Sequence, residues 1–235
     1  MDISNKKALV FGGTSGIGLA TSNLLIEKGA EVIALSRDPE KAKGKHHNKI
    51  TLEKCDVREV DQLENIFNKY APYDILVSAA TGGTRAAGDF LEMDMDGFRS
   101  SFDKLWGYAN VVRHGTKNLD QNGSLVLVSG APARKTKPGM VTLSVVGGAV
   151  ENLVRAAALE MSPKRINIVS PGIIDTPLFP QEGEERENLI KNFTANHSIK
   201  RAGTPEEVAS AIIFLIENDF VNGTTVDVDG GWLLS

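Results

Sequence analysis

Short apolar runs alternate along this chain with longer stretches whose apolar residues recur at helical spacing. Ala8-Leu9-Val10-Phe11 reads as a buried strand, and residues 19–29 read as a helix that stops at Gly29. Glu31-Val32-Ile33-Ala34-Leu35-Ser36 is a second strand, residues 49–55 a third, and an amphipathic helix follows through Leu63, Ile66 and Phe67. The apolar run 74–80 is a fourth strand that ends in small residues, followed by a small-residue loop over 81–89. A long helix is predicted over 95–118 with an irregularity at Gly107, then a turn at Asn122-Gly123 and a fifth strand over 124–129. A basic loop, 130–138, leads to an apolar helix over 141–161 and a sixth strand over 165–170. A polar insertion follows over 176–198. Thr204-Pro205-Glu206-Glu207 opens the last helix with a threonine cap, and residues 224–228 form the last strand. Strand and helix alternate without a repeat or linker. The pattern implies one α/β domain over 1–235, a doubly wound parallel sheet of about seven strands with helices on both faces.

Composition narrows the partners. The net charge of −4 gives no reason to expect nucleic acid, and no apolar run is expected to approach the length that crosses a bilayer. The first residues lack a secretory apolar core, and the single cysteine, Cys55, suits a reducing cytoplasm. One cysteine and four scattered histidines argue against a metal site.

The chemistry concentrates at Gly12-Gly13-Thr14-Ser15-Gly16-Ile17-Gly18, between the first strand and the first helix. Glycines there let the backbone approach a pyrophosphate, and the helix N-terminus favours its charge. In such a fold the end of the second strand meets the adenosine ribose. A carboxylate there suits NAD, whereas an arginine suits the 2′-phosphate of NADP. Ser36-Arg37 stands at that point, so the expected cofactor is NADP(H) in preference to NAD(H); the alternative, a solvated loop arginine, stays open.

Together with Asp56-Val57, Ser170-Pro171-Gly172-Ile173-Ile174-Asp175-Thr176-Pro177, Lys200-Arg201-Ala202-Gly203-Thr204-Pro205 and Val226-Asp227-Val228-Asp229-Gly230-Gly231, the glycine motif resembles the short-chain dehydrogenase/reductase family nearly end to end. The resemblance implies a Rossmann-type NADP(H)-binding domain with a lid-like insertion at about 176–200. It assigns the cofactor to Gly12, Thr14, Ser15, Gly16, Ile17, Gly18, Ser36 and Arg37. It adds Asp56 and Val57 near the adenine, Ala79 and Ala80 after the fourth strand, and Pro171, Gly172, Ile174 and Thr176 at the nicotinamide end. It also implies a homodimer or homotetramer through the two long helices.

That family works through Ser, Tyr and Lys, the last two spaced Tyr-x-x-x-Lys, with an Asn on the preceding helix. Aligned on Ala149-Val150 and Ala158-Leu159-Glu160, the lysine position falls on Gly147, the tyrosine position on Leu143, the serine position on Gly130 and the asparagine position on Lys104. None of the three tyrosines, Tyr70, Tyr73 and Tyr108, has lysine four residues later. The candidates left for catalysis are Lys104, which reverses the spacing with Tyr108, and Ser129 and Ser144 beside the vacated positions. Both serines read more readily as cap or turn residues, and His114 and His197, the other possible proton donors, read more readily as surface residues.

Three functions remain. The chain is an NADP(H)-dependent oxidoreductase with a non-standard site, transferring hydride to a conjugated carbonyl acceptor. Alternatively it is a non-redox isomerase, dehydratase or cyclase on the same scaffold, or a catalytically inactive nucleotide-binding partner or sensor. Retention of both the phosphate turn and the Pro171 to Thr176 segment favours the first.

Overall fold

The computed structural model describes residues 1–42, 44–81 and 83–235; Lys43, in the basic segment after the second strand, and Gly82, in the small-residue loop, lie outside the described residues. Seven strands form one parallel sheet: β1 (Lys7–Phe11), β2 (Glu31–Ser36), β3 (Thr51–Lys54), β4 (Tyr73–Ser78), β5 (Leu119–Val128), β6 (Arg165–Pro171) and β7 (Thr225–Val228), in the order β3-β2-β1-β4-β5-β6-β7. Because its faces are both covered, the central strands are apolar on both sides. Leu9, Phe11, Ile33 and Leu35 point to one core, and Ala8, Val10, Val32 and Ala34 to the other. Helices α2 (Val60–Tyr70), α4 (Asp103–Gly115) and α5 (Val141–Glu160) close the first core; α1 (Gly16–Glu27) and α7 (Pro205–Glu217) close the second.

Two predicted elements differ. The single helix expected over 95–118 is broken at Phe102 into α3 (Met95–Ser101) and α4, and α4 runs unbroken through Gly107. Gly107 serves close packing instead: a Cβ there would lie 2.5 Å from Val57 Cγ2. Asn122-Gly123 makes no turn. It falls inside β5, where pairing with β4 jumps from Tyr73↔Leu119 to Ile75↔Ser124, a bulge that absorbs the extra residues.

The polar insertion contains α6 (Gly183–Thr194), whose first turn holds Glu184 and Glu185, a placement the helix dipole favours. Helix α5 also corrects an expectation: among the described residues it is the one helix long and apolar enough to cross a bilayer. In this fold Val146, Val150, Val154 and Ala158 turn inward from it, and Val150, Val154 and Ala158 join the core beneath.

Helix α7 begins with the anticipated cap, completed as a capping box. The Glu207 amide donates to Thr204 Oγ1 at 3.3 Å, and Glu207 Oε2 accepts from the Thr204 amide at 2.8 Å. At its other end the buried Arg165 guanidinium donates to the Leu215 and Ile216 carbonyls, both at 2.7 Å, satisfying acceptors that helix ends leave open. Thr204→Ala is expected to lower stability by about 1 kcal/mol, read as a lower urea midpoint with an unchanged slope. An unchanged midpoint would show that the box contributes nothing.

Candidate active site

The strand order reverses between β1 and β4, and a crevice opens beyond their carboxyl ends. Gly12 (φ +75°) sits in it, and a Cβ at this position would lie 2.8 Å from both Ala79 C and Ala80 N. At Gly18 a Cβ would lie 2.1 Å from the Gly12 carbonyl oxygen. Only glycine allows these two backbone segments to approach so closely. The first turn of α1 has no side-chain cap from Ser15 and no acidic residue, leaving its amides available to an anion.

One cavity of about 600 Å³ runs from this turn across the carboxyl ends of the sheet. All sixteen residues assigned to the cofactor line it. Gly12, Thr14, Ser15, Gly16, Ile17 and Gly18 form its floor beyond β1. Ser36 and Arg37 bound it beyond β2, and Asp56 and Val57 beyond β3. Ala79 and Ala80 follow β4, with Pro171, Gly172, Ile174 and Thr176 from β6 and the segment after it. Thr176 reaches over the glycine turn, close enough that a Cβ on Gly16 would touch it at 3.4 Å. The hydroxyl of Ser36 is buried without a hydrogen-bond partner among the described residues. Such an orphan is costly unless a ligand satisfies it. The glycine cradle, the open helix end and this hydroxyl fit a dinucleotide phosphate.

Asp56 is held below the usual carboxylate range by its hydrogen bonds with Arg58, chiefly Arg58 Nη2 to Oδ2 at 2.7 Å. Arg58 Nη1 also reaches Asp103 Oδ2 at 3.2 Å, tying the adenine end of the cavity to the first residue of α4. The next residue is Lys104. Its ammonium lines the cavity, donates to the Ser129 carbonyl at 3.3 Å, and lies 5.5 Å from the centre of the Tyr108 ring. Burial, with a smaller contribution from the Arg85 charge, pushes Lys104 down to about 7. The Tyr108 hydroxyl is committed elsewhere, donating to the Val128 carbonyl at 2.8 Å, and burial pushes its pKa up. Cys55 also lines the cavity, but burial pushes its thiol up to about 12, so it is no nucleophile at neutral pH.

The other candidates separate. Ser129 lines the cavity, with its hydroxyl given to the Gly147 carbonyl at 3.3 Å. Ser144 does not line it and donates to the Pro132 carbonyl at 2.6 Å, as a turn residue does. Gly130, Leu143 and Gly147 all face the cavity. A Cβ on Gly147 would lie 2.9 Å from Ala133 Cβ, because the turn Ala131–Ala133 packs directly on α5. His114 lies outside the cavity, 3.0 Å from Glu64 Oε1. His197 is a correction: it is buried, stacked on Trp232 with ring centres 5.6 Å apart.

Sequence reasoning missed Arg85, the only cation in the loop 81–89, and the apolar wall of Leu178, Phe179, Phe193 and Trp232. A lone cation in a small-residue loop directly after a strand was the available signal. The aromatic wall comes from three distant segments and had none.

A family model described as Enoyl-(Acyl carrier protein) reductase matches residues 12–233. The chain belongs to the short-chain dehydrogenase/reductase family. It is 31% identical over 255 residues to the 3-oxoacyl-[acyl-carrier-protein] reductase FabG of Thermotoga maritima, covering 100% of both chains. A small-chain dehydrogenase crystallised with NADPH superposes with a TM-score of 0.85 at 25% identity, over 99% of this chain and 100% of that one. The MalC reductase/Diels-Alderase of Malbranchea aurantiaca superposes with a TM-score of 0.88 at 25% identity, over 100% and 98%.

The depressed pKa of Lys104 has a consequence for stability. Unfolded, a lysine keeps its proton up to about 10.5; folded, Lys104 releases it near 7. The folded state is therefore penalised at pH 7 and below, and the penalty fades as pH rises toward 10.5. Lys104→Met is expected to melt above wild type at pH 6–7, with the difference shrinking by pH 10. A pH-independent difference would rule out the shift.

Proposed function

We propose that this chain is an NADP(H)-dependent oxidoreductase whose proton-handling site departs from the family pattern and whose acceptor is a conjugated carbonyl compound. The observation that carries the reading is one cavity joining the glycine cradle to the Lys104 ammonium. Gly12 to Gly18 would hold the pyrophosphate, Ser36 and Arg37 the 2′-phosphate, and Asp56 and Val57 the adenine. Pro171 to Thr176 would flank the nicotinamide. Bound NADPH would supply a hydride, chemistry that belongs to the cofactor.

The protein's part is orientation and the proton. Glycine at 130 and 147 and leucine at 143 offer no acid or base. Lys104, poised near neutrality in the same cavity, can donate a proton to the oxygen of the acceptor and recover it from water. A conjugated acceptor delocalises the developing charge and so demands less of that one group. In this reading 176–200 acts as a lid. Its α6 is fastened to the segment before it by Arg186, which donates to the Thr176 carbonyl at 3.0 Å and the Gln181 carbonyl at 3.3 Å. Exposed Trp106 on α4 and Val145 and Leu159 on α5 suit a homodimer or homotetramer through those helices.

The likeness to a reductase/Diels-Alderase supports a second reading, a non-redox cyclase on this scaffold. Fluorescence titration with NADPH and NADH, followed by absorbance loss at the nicotinamide band with enones, quinones and ketones, separates the two. Oxidation with an enone is expected. Binding without oxidation on any acceptor would favour non-redox chemistry. Arg37→Ala should weaken NADPH by about 10- to 100-fold and leave NADH nearly unchanged. Equal weakening would remove the preference for NADPH. Lys104→Met should lower kcat by about 10²-fold or more and abolish the inflection near pH 7; retention of both would dismiss Lys104 as the proton donor.

A further inference from the structure

Two cations share the cavity at the β4–β5 side. Arg85 and Lys104 both line it, near enough for the Arg85 charge to oppose protonation of Lys104. Among the described residues neither has a carboxylate partner, and Arg85 makes no hydrogen bond or ion pair. Among the described residues the one acid lining the cavity, Asp56, is engaged by Arg58 beyond β3. Arg85 is exposed and Lys104 half-buried, so both heads are open to a ligand, and a negative charge brought in between them would be attracted by both.

That charge does not come from the cofactor cradle. The glycine turn follows β1, whereas Lys104 reaches the Ser129 carbonyl just beyond β5, two strands away or about 10 Å at ordinary sheet spacing. Ser36 and Arg37 lie one strand further off, beyond β2. Leu143, Val146, Phe179 and Phe193 give the same cavity an apolar wall, beside the hydroxyls of Ser101, Ser129 and Thr142.

Building on the proposed reductase reading, we infer that the substrate is a largely apolar molecule carrying a carboxylate, which Arg85 and Lys104 hold together. The guanidinium fork matches a carboxylate's two oxygens. Lys104 spends one N–H on Ser129 and, when protonated, has two to share between the carboxylate and the acceptor oxygen. Arg85 is then a specificity residue, selecting acids over neutral analogues of equal size.

The test compares an acid with its ester. Isothermal titration of the protein, with and without NADP⁺, uses β-benzoylpropionate and its methyl ester; turnover with NADPH uses trans-β-benzoylacrylate and its methyl ester. Wild type is expected to bind the acid at least about tenfold more tightly than the ester, and Arg85→Gln to bring that ratio close to one. Equal affinity of acid and ester in wild type would overturn the inference, whatever the variant does. So would a loss of NADPH affinity in Arg85→Gln as large as its loss of acid affinity, since that would assign Arg85 to the cofactor. The two readings fail separately. Preference for the acid without NADPH consumption keeps the cation pair and removes the reductase; reduction of acid and ester with equal kcat/KM does the reverse.

Discussion

The reversal of strand order at β1 and β4 is the constraint from which the rest follows. It brings the ends of two strands side by side with no helix between them, and the space can be used only if backbones come closer than any side chain permits. Gly12 against Ala79 and Ala80, and Gly18 against Gly12, meet that demand. The Gly12 amide donates to Leu35 O at 2.7 Å and the Ala79 amide to Phe11 O at 2.9 Å, so the crevice is fastened to β2 and β1 by main-chain bonds. Its floor is therefore rigid, and its chemistry is set by what later segments hang over it. Lys104 comes from α4, Arg85 from the loop after β4, and Phe179 and Phe193 from the insertion after β6.

What was legible in the sequence tracks this division. Residues whose identity is dictated by backbone geometry, such as Gly12, Gly18 and the Thr204 capping box, announce themselves through conformational necessity. The sheet's apolar runs do likewise, since burial on both faces leaves little freedom. The break at Phe102 left no mark, because helix propensity is continuous across it and the interruption is decided by tertiary packing. Asn122-Gly123 misled for the opposite reason: a strong local turn signal was overridden by pairing along β5 and became a bulge. His197, in a polar stretch, gave no hint of its stack on Trp232, which lies far away in the chain.

Lys104 links these levels. The residue before it on α4, Asp103, accepts from Arg58, which also donates to Asp56 beyond β3. The ammonium is held on the Ser129 carbonyl, and burial there, with the Arg85 charge, favours its neutral form.

The contact between Gly147 and Ala133 carries a different kind of consequence. Any side chain at 147 and the present turn exclude one another, because the first carbon alone would overlap Ala133. Installing a lysine at that site would displace the turn, and with it Pro132, whose carbonyl anchors Ser144. Placing any side chain at 147 would need coordinated changes on two elements, α5 and the turn that packs on it. Steric interlock thus makes the backbone of α5 and the turn beside it a single unit, in which neither partner can change size alone.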